Sequence, residues 1–226
     1  SSSSAASDVY KRQCIKVPTD SVAVRAMRKE FQVMRKLSHP NVLRAVALIC
    51  SEDNRMQGLL LPLADSNLWT WIGRDTAANN HGGGAETPSL RNHCDGAVPS
   101  ILGRHSAQVL LQVARGLSYI HVARVIHLDV KPENLLVVWP DTTVAPCVRL
   151  ADFGSSRPGP DSQGKGGEHV RADLVNTAVY RPLQLFHNRG SLVRAQFGFD
   201  RWAFGCVIFD VAQGSARFRS RTGKAL

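Results

Sequence analysis

Apolar and polar positions along the chain follow two different periods, and the switches between them mark out its elements. From Val24 to Leu37 the apolar residues Met27, Phe31, Met34 and Leu37 return every three or four positions. That spacing predicts an amphipathic helix, with Glu30 at the edge of its apolar face. Ser106 to His121 behaves the same way: Leu110, Val113, Leu117 and Ile120 form one stripe, and Ser106 reads as the N-cap. A third apolar helix is predicted from about Asp200 to Ala212. Runs of strand length lie at 9–11 and 14–17, where Pro18 ends the second, and at 42–50, 58–63, 135–138 and 148–151. Ser38-His39-Pro40-Asn41 breaks the first helix, and residues 67–72 suit one further short helix.

Three stretches lack either period. Residues 73–100 carry Gly82-Gly83-Gly84 and scattered charges and read as a surface insertion, either a spacer or a docking segment. The stretch from Gly154 to about His169 is a loop rich in Gly, Ser and Asp. The Ser/Ala start, residues 1–8, reads as a disordered or non-native leader and has neither the positive nor the apolar region of a secretory signal. Strands near the start and helices afterwards predict an α+β chain in two parts.

Composition narrows the picture. The chain has 226 residues, of which 43% are apolar, enough to bury a sizeable core. Its formal net charge of +10 favours acidic partners, yet no run of five positive residues occurs, so no nucleic-acid site is expected. No apolar run approaches the roughly 20 residues that span a bilayer, so no membrane partner is expected. Five widely spaced cysteines without a C-x-x-C pair argue against a disulfide framework or a zinc site and for an intracellular location, cytoplasmic or nuclear. His93-Cys94-Asp95 has ligand chemistry but no second pair nearby, and it reads as loop.

The chemistry concentrates in His127-Leu128-Asp129-Val130-Lys131-Pro132-Glu133-Asn134, followed eighteen residues after Asn134 by Asp152-Phe153-Gly154. Phosphoryl transfer asks for a carboxylate near the acceptor hydroxyl, a cation on the moving phosphate and oxygen ligands for Mg²⁺. Asp129 and Lys131 stand two apart, so an extended loop turns both to one side. Asn134 and Asp152 supply one neutral and one anionic oxygen donor, a suitable set for a hard cation that keeps some of its waters.

In this order and spacing the residues resemble the protein kinase family: 127–134 is similar to H-R-D-x-K-P-x-N and 152–154 to D-F-G. The resemblance implies Asp129 as catalytic base, Lys131 on the γ-phosphate as in serine/threonine members, and Asn134 and Asp152 as Mg²⁺ ligands. Cys14-Ile15-Lys16 resembles the family's V-A-I-K strand, so Lys16 is expected on the α/β-phosphates and Glu30 as its ion-pair partner. Residues 58–64 resemble the strand running into the hinge. That implies Leu61 as gatekeeper, and Pro62 and Ala64 as the carbonyl and the N–H that meet adenine. The stretch 176–184 resembles T-x-x-Y-R-A-P-E, which puts Thr177 toward the substrate. Residues 200–205 resemble D-x-W-S-x-G, which makes Asp200, like His127 and Phe153, a structural support.

The fold the resemblance implies is α+β and two-lobed. A small β-rich N-lobe with one helix of the αC kind and the hinge covers 9–64, and a mainly helical C-lobe covers 65–226 with an activation segment at 152–184. The cofactors implied are ATP and Mg²⁺, and the partner is a protein substrate with a Ser or Thr acceptor. Nothing before Val9 resembles G-x-G-x-x-G, and the chain stops soon after the third helix, so the domain is expected to be truncated at both ends and inactive as an isolated piece. Leu128 replaces the arginine that in the family pairs with an activation-loop phosphate, so activity is expected not to depend on phosphorylation of Ser155, Ser156 or Ser162. Gln184 replaces a glutamate, which is expected to loosen the segment. A catalytically silent scaffold module and a small-molecule kinase are the alternatives; intact Lys16, Glu30, Asp129, Lys131, Asn134 and Asp152 weigh against the first, and Lys131 with 177–184 against the second.

Overall fold

A computed structural model describes residues 12–53, 55–72, 101–138 and 146–213, with side chains from residue 105 onward in the third stretch. The strand expected at 9–11, the leader 1–8 and the insertion 73–100 lie outside the described residues.

The N-terminal part is a three-stranded antiparallel sheet of order β1-β3-β2, with β1 at Gln13–Lys16, β2 at Ala47–Cys50 and β3 at Met56–Pro62. Lys16 at the end of β1 lies opposite Leu59. The strands come this close because residue 58 is glycine: a Cβ there would stand 2.7 Å from Ile15 Cγ2 and 3.1 Å from Lys16 O. Helix α1, Ser21–Met34, starts where Asp20 accepts bonds from the Val22 and Ala23 amides, both at 2.8 Å, earlier than the apolar period alone suggests. Its buried residues are Met27, Glu30 and Met34, one face at steps of three and four.

The remainder is built on two long helices, α2 at Ile101–Val122 and α4 at Phe197–Gln213. Helix α2 begins five residues before Ser106, which therefore lies inside it; the N-cap expected there is corrected. Its buried stripe is Val109, Val113, Leu117 and Ile120, with Leu110 only partly covered. Strands β4 (Ser66–Asn67), β6 (Leu135–Val138) and β7 (Cys147–Leu150) form a second antiparallel sheet against α2, and residues 68–72 are helical. Of the expected strand 42–50 only β2 forms, because Val42 makes a single parallel bridge to Leu150. Asn41 binds this junction: its buried amide donates to Gln112 Oε1 and Val148 O, both at 2.9 Å. Gly116 of α2 packs against the Asn41 backbone, where a Cβ would lie 2.7 Å from its carbonyl oxygen.

The loop expected at 154–169 is partly ordered. Strand β5 (Val125–Ile126) pairs with β8 (Arg157–Pro158), and β9 (His169–Arg171) pairs with β10 (Leu192–Arg194), the short helix α3 (Leu183–His187) lying between the latter two. One core joins Met34, Leu59, Ile120, Leu150, Phe153 and Val207, and a smaller one gathers Ile126, Leu128, Val170, Val175, Leu185 and Phe199. Full burial of each such side chain stabilises by about 1.5–3 kcal/mol. Among the described residues no helix is long and apolar enough to cross a membrane.

Candidate active site

The loop between β5 and β6 is held from below by one buried carboxylate. Asp200, in the first turn of α4 and fully buried, accepts from the amides of His127 and Leu128, each at 2.8 Å, and lies 2.8 Å from His121 Nε2. These bonds compensate a charge that would otherwise be costly to bury. They also hold Leu128 at φ 64°, a left-handed backbone that a leucine adopts only under constraint. The Leu128 side chain is buried in the smaller core, so a greasy contact stands where the resemblance would put a cation. His127 reaches Ala151 O at 2.9 Å through Nε2 and meets the Phe153 ring edge-on at 4.9 Å.

On this support Asp129, Lys131, Asn134 and Thr177 converge. The Thr177 hydroxyl is 2.8 Å from Asp129 Oδ1, to which it donates, and 2.9 Å from Lys131 Nζ, from which it accepts. Lys131 Nζ also stands 2.8 Å from Asp129 Oδ2, and Asn134 Nδ2 donates to that oxygen at 3.0 Å and to Asp129 O at 2.8 Å. Burial by itself would raise the Asp129 pKa, but the bonds from Lys131 and Thr177 outweigh it and hold the carboxyl below its ordinary value. The Asn134 amide, with its nitrogen committed to Asp129, turns its carbonyl oxygen away from that carboxylate.

A second group forms between β1, α1 and the turn after β7. Lys16 Nζ lies 2.9 Å from both Glu30 Oε2 and Asp152 Oδ1. Asp152 also has a left-handed backbone, φ 63°, which directs the chain into the short 3₁₀ turn Phe153–Ser155 and buries Phe153 in the main core. The two partners shift for opposite reasons. At Lys16, 39% exposed, desolvation is outweighed by the carboxylates of Glu30 and Asp152, and the pKa rises; at Glu30, 3% exposed, desolvation outweighs the pull of Lys16 and its pKa rises as well. The groups are joined through backbone: Ala151 N donates to Asn134 O at 2.9 Å while Ala151 O receives His127.

Along the edge of β3, Leu61 pairs with Cys14 and Pro62 with Gln13, and the Leu63 amide donates to Arg12 O at 2.8 Å. Leu61 and Ala64 are partly buried. Among the described residues no cluster of three His, Cys, Asp or Glu side chains could hold a metal by itself.

All thirteen site residues singled out from the sequence lie within the described stretches; Asp129 contacts Lys131, Asn134 and Thr177, and Lys16 contacts both Glu30 and Asp152. Sequence reasoning missed His121, whose ring reaches Asp200 across 79 positions, and Glu168, whose carboxylate meets Lys29 and Arg157. Neither carries a local pattern that would have marked it.

The protein kinase domain family model matches residues 4–226. Mitogen-activated protein kinase kinase kinase 1 of Rattus norvegicus is 29% identical over 192 residues, covering 84% of this chain and 10% of that protein. The 3-phosphoinositide-dependent protein kinase 1 of Arabidopsis thaliana is 34% identical over 113 residues, 48% of this chain and 21% of that protein. Mitogen-activated protein kinase 4 of Homo sapiens is 26% identical over 218 residues, 94% of this chain and 33% of that protein. The chain thus spans a third or less of each of these relatives. Among solved structures, the crystal structure of the yeast RNA Pol II CTD kinase CTDK-1 complex matches with a TM-score of 0.63 at 19% identity, over 92% of this chain and 57% of that one, a likeness of fold.

Proposed function

This chain belongs to the protein kinase family, and we propose that its intact protein moves the γ-phosphoryl group of ATP, with Mg²⁺, onto a serine or threonine hydroxyl of a protein substrate. The observation that supports this best is the Thr177 hydroxyl, seated between the Asp129 carboxylate and the Lys131 ammonium at 2.8 and 2.9 Å. A pocket that holds one aliphatic hydroxyl this way suits an acceptor hydroxyl. Asp129 would accept its hydrogen bond and later its proton, and Lys131 would face the charge on the transferred group. A base with a lowered pKa is adequate here, because the loose transition state asks for positioning more than for proton abstraction.

The residues present fit both absent groups. Lys16, held between two carboxylates, presents an ammonium for the α/β-phosphates, with Glu30 fixing its direction. Asn134 and Asp152 offer one carboxamide and one carboxylate oxygen for Mg²⁺; with no cluster of three His, Cys, Asp or Glu side chains among the described residues, the cation would take phosphate and water oxygens to complete its shell. Bound Mg²⁺ supplies neutralisation of the phosphate charge. Leu63 spends its N–H on Arg12, leaving the Pro62 carbonyl and the Ala64 amide as the pair for adenine and Leu61 beside them.

A thermal-shift titration of the full-length protein tests binding. Mg-ATP raises the melting temperature of the wild type and of Asp129→Asn, and much less that of Lys16→Met. No shift with wild type at millimolar Mg-ATP would contradict the reading.

A further inference from the structure

The short ribbon of β9 and β10 has two unlike faces. In β9 only Val170 is buried, so strand alternation turns His169 and Arg171 together to the other side. Across the ribbon His169 lies opposite Arg194, and Arg171 opposite the exposed Leu192. The backbone beneath is fixed: Ala172 N donates to Ser191 O at 3.0 Å, and Val170 and Val175 are buried in the smaller core. Against the ribbon opens a cleft of about 340 Å³, whose lining includes Gly154, Arg157, His169, Arg171, Val175 and Leu192. Among the described residues that line it there is no carboxylate. Arg171 is held by Asp173 through Nε at 3.2 Å and Nη2 at 2.8 Å, which occupies two of its five N–H groups. Arg157 sends Nη1 to Ser155 O and Ser156 O, and its Nε reaches Glu168. Among the described residues these contacts leave each guanidinium with N–H groups for a further anion.

Two lining residues join the cleft to the candidate active site. Gly154 is two positions past Asp152, and Val175 is two before Thr177, whose hydroxyl sits between Asp129 and Lys131. Two residues span about 7 Å at most, and an extended peptide rises about 3.3 Å per residue. Side chains a few positions from an acceptor seated like Thr177 therefore come within reach of the cleft.

We propose that this cleft is a specificity site for the acceptor protein, taking an Asp or Glu side chain a few positions along from the accepting serine or threonine. Arg171 is the chief partner of that carboxylate, and the exposed Leu174 and Leu192 lie beside it for apolar contact. The proposal rests on the reading of Asp129 and Lys131 as the acceptor seat. The chain's net charge of +10 draws acidic segments toward it as well. Because Arg171 is 53% exposed, the preference is modest and weakens with salt.

The test gives full-length protein a set of serine peptides that carry Asp, Ala or Lys at each flanking position in turn. Transfer (kcat/KM) and binding of fluorescent copies by anisotropy are both measured, for wild type, Arg171→Gln and Arg171→Glu. With wild type, Asp at one or more flanking positions is expected to raise kcat/KM by about three- to tenfold over Ala, and Lys to lower it. Arg171→Gln is expected to bring that ratio close to one. Arg171→Glu is expected to reverse it, favouring Lys at the same position, an outcome that a merely misfolded variant cannot produce. Equal use of Asp, Ala and Lys peptides by wild type, or an Asp preference that survives in Arg171→Glu, would overturn the specificity site and leave the kinase reading standing. If wild type labels no peptide at all, the kinase reading fails; tighter binding of Asp than of Lys peptides, reversed in Arg171→Glu, would then still support the cleft as a carboxylate site, and equal binding would sink it too.

Discussion

Asp129 and Lys16 belong to one candidate site, yet the chain secures them by different means. Around Asp129 short hydrogen bonds from Thr177 and Asn134 join an ion pair with Lys131, which is largely shielded from water, and the loop that carries Asp129 rests on the fully buried Asp200 with its three partners. Lys16 comes from another part of the chain, remains 39% exposed, and depends on ion pairs with Glu30 of α1 and Asp152 of the turn after β7. The catalytic-loop half is thus set by folding, because breaking it leaves buried polar groups without partners. The Lys16 half is set by charges that pH and movement of α1 can alter. On the proposed reading, a site so divided would keep Asp129 and Lys131 in place while leaving the Lys16 side adjustable.

The contrast is broken most severely at Asp200. Asp200→Ala leaves the amides of His127 and Leu128 buried without an acceptor, and denaturant unfolding is expected to show a loss of about 3–5 kcal/mol. Lys16→Met is expected to do the reverse, lowering phosphoryl transfer by about 100-fold or more while the melting temperature barely moves. Gly116→Ala sharpens the distinction from the structural side: a methyl at 2.7 Å from the Asn41 carbonyl forces α2 away from the junction and is expected to cost about 1–3 kcal/mol without changing Mg-ATP affinity in the protein that remains folded.

The smallest effect is in acid. Glu30, with its pKa raised, takes up a proton before Asp129 does as the pH falls, and Lys16 then loses a charged partner. Mg-ATP affinity is therefore expected to weaken from above the usual carboxylate range, and Glu30→Gln to flatten that limb when the dissociation constant is followed over pH. Stability runs oppositely at the two groups. Protonated Glu30 favours the fold at low pH and that contribution fades as the pH rises through its raised pKa. Asp129, held low, contributes above its unfolded value, and this contribution is lost only as the pH falls through its lowered one.

The loop 127–134 was legible because its chemistry lies in eight consecutive residues, Lys16 because its strand resembles V-A-I-K, and Glu30 because it sits on a helix with a clear period. The helix around Glu30 could be read from Met27 and Met34, though not its start, which Asp20 decides by capping rather than by hydrophobicity. Ser106 misled for the converse reason: a good cap residue inside a helix is silent when the chain before it is already helical. What stayed hidden are pairings over long separations. Asn41 with Gln112, His121 with Asp200 and Lys29 with Glu168 are 71, 79 and 139 positions apart and carry no periodic signal.

The central claim is that Asp129 governs transfer from a nucleotide that Lys16 helps to hold. Single-turnover transfer from γ-labelled ATP to a Ser/Thr-containing protein acceptor, run with full-length wild type and Asp129→Asn at saturating Mg-ATP, tests it most directly. The expected result is labelled acceptor with wild type and a loss of about 100-fold or more with Asp129→Asn, whose ATP binding is retained. Equal labelling by both proteins, or none by wild type with ATP bound, would contradict it.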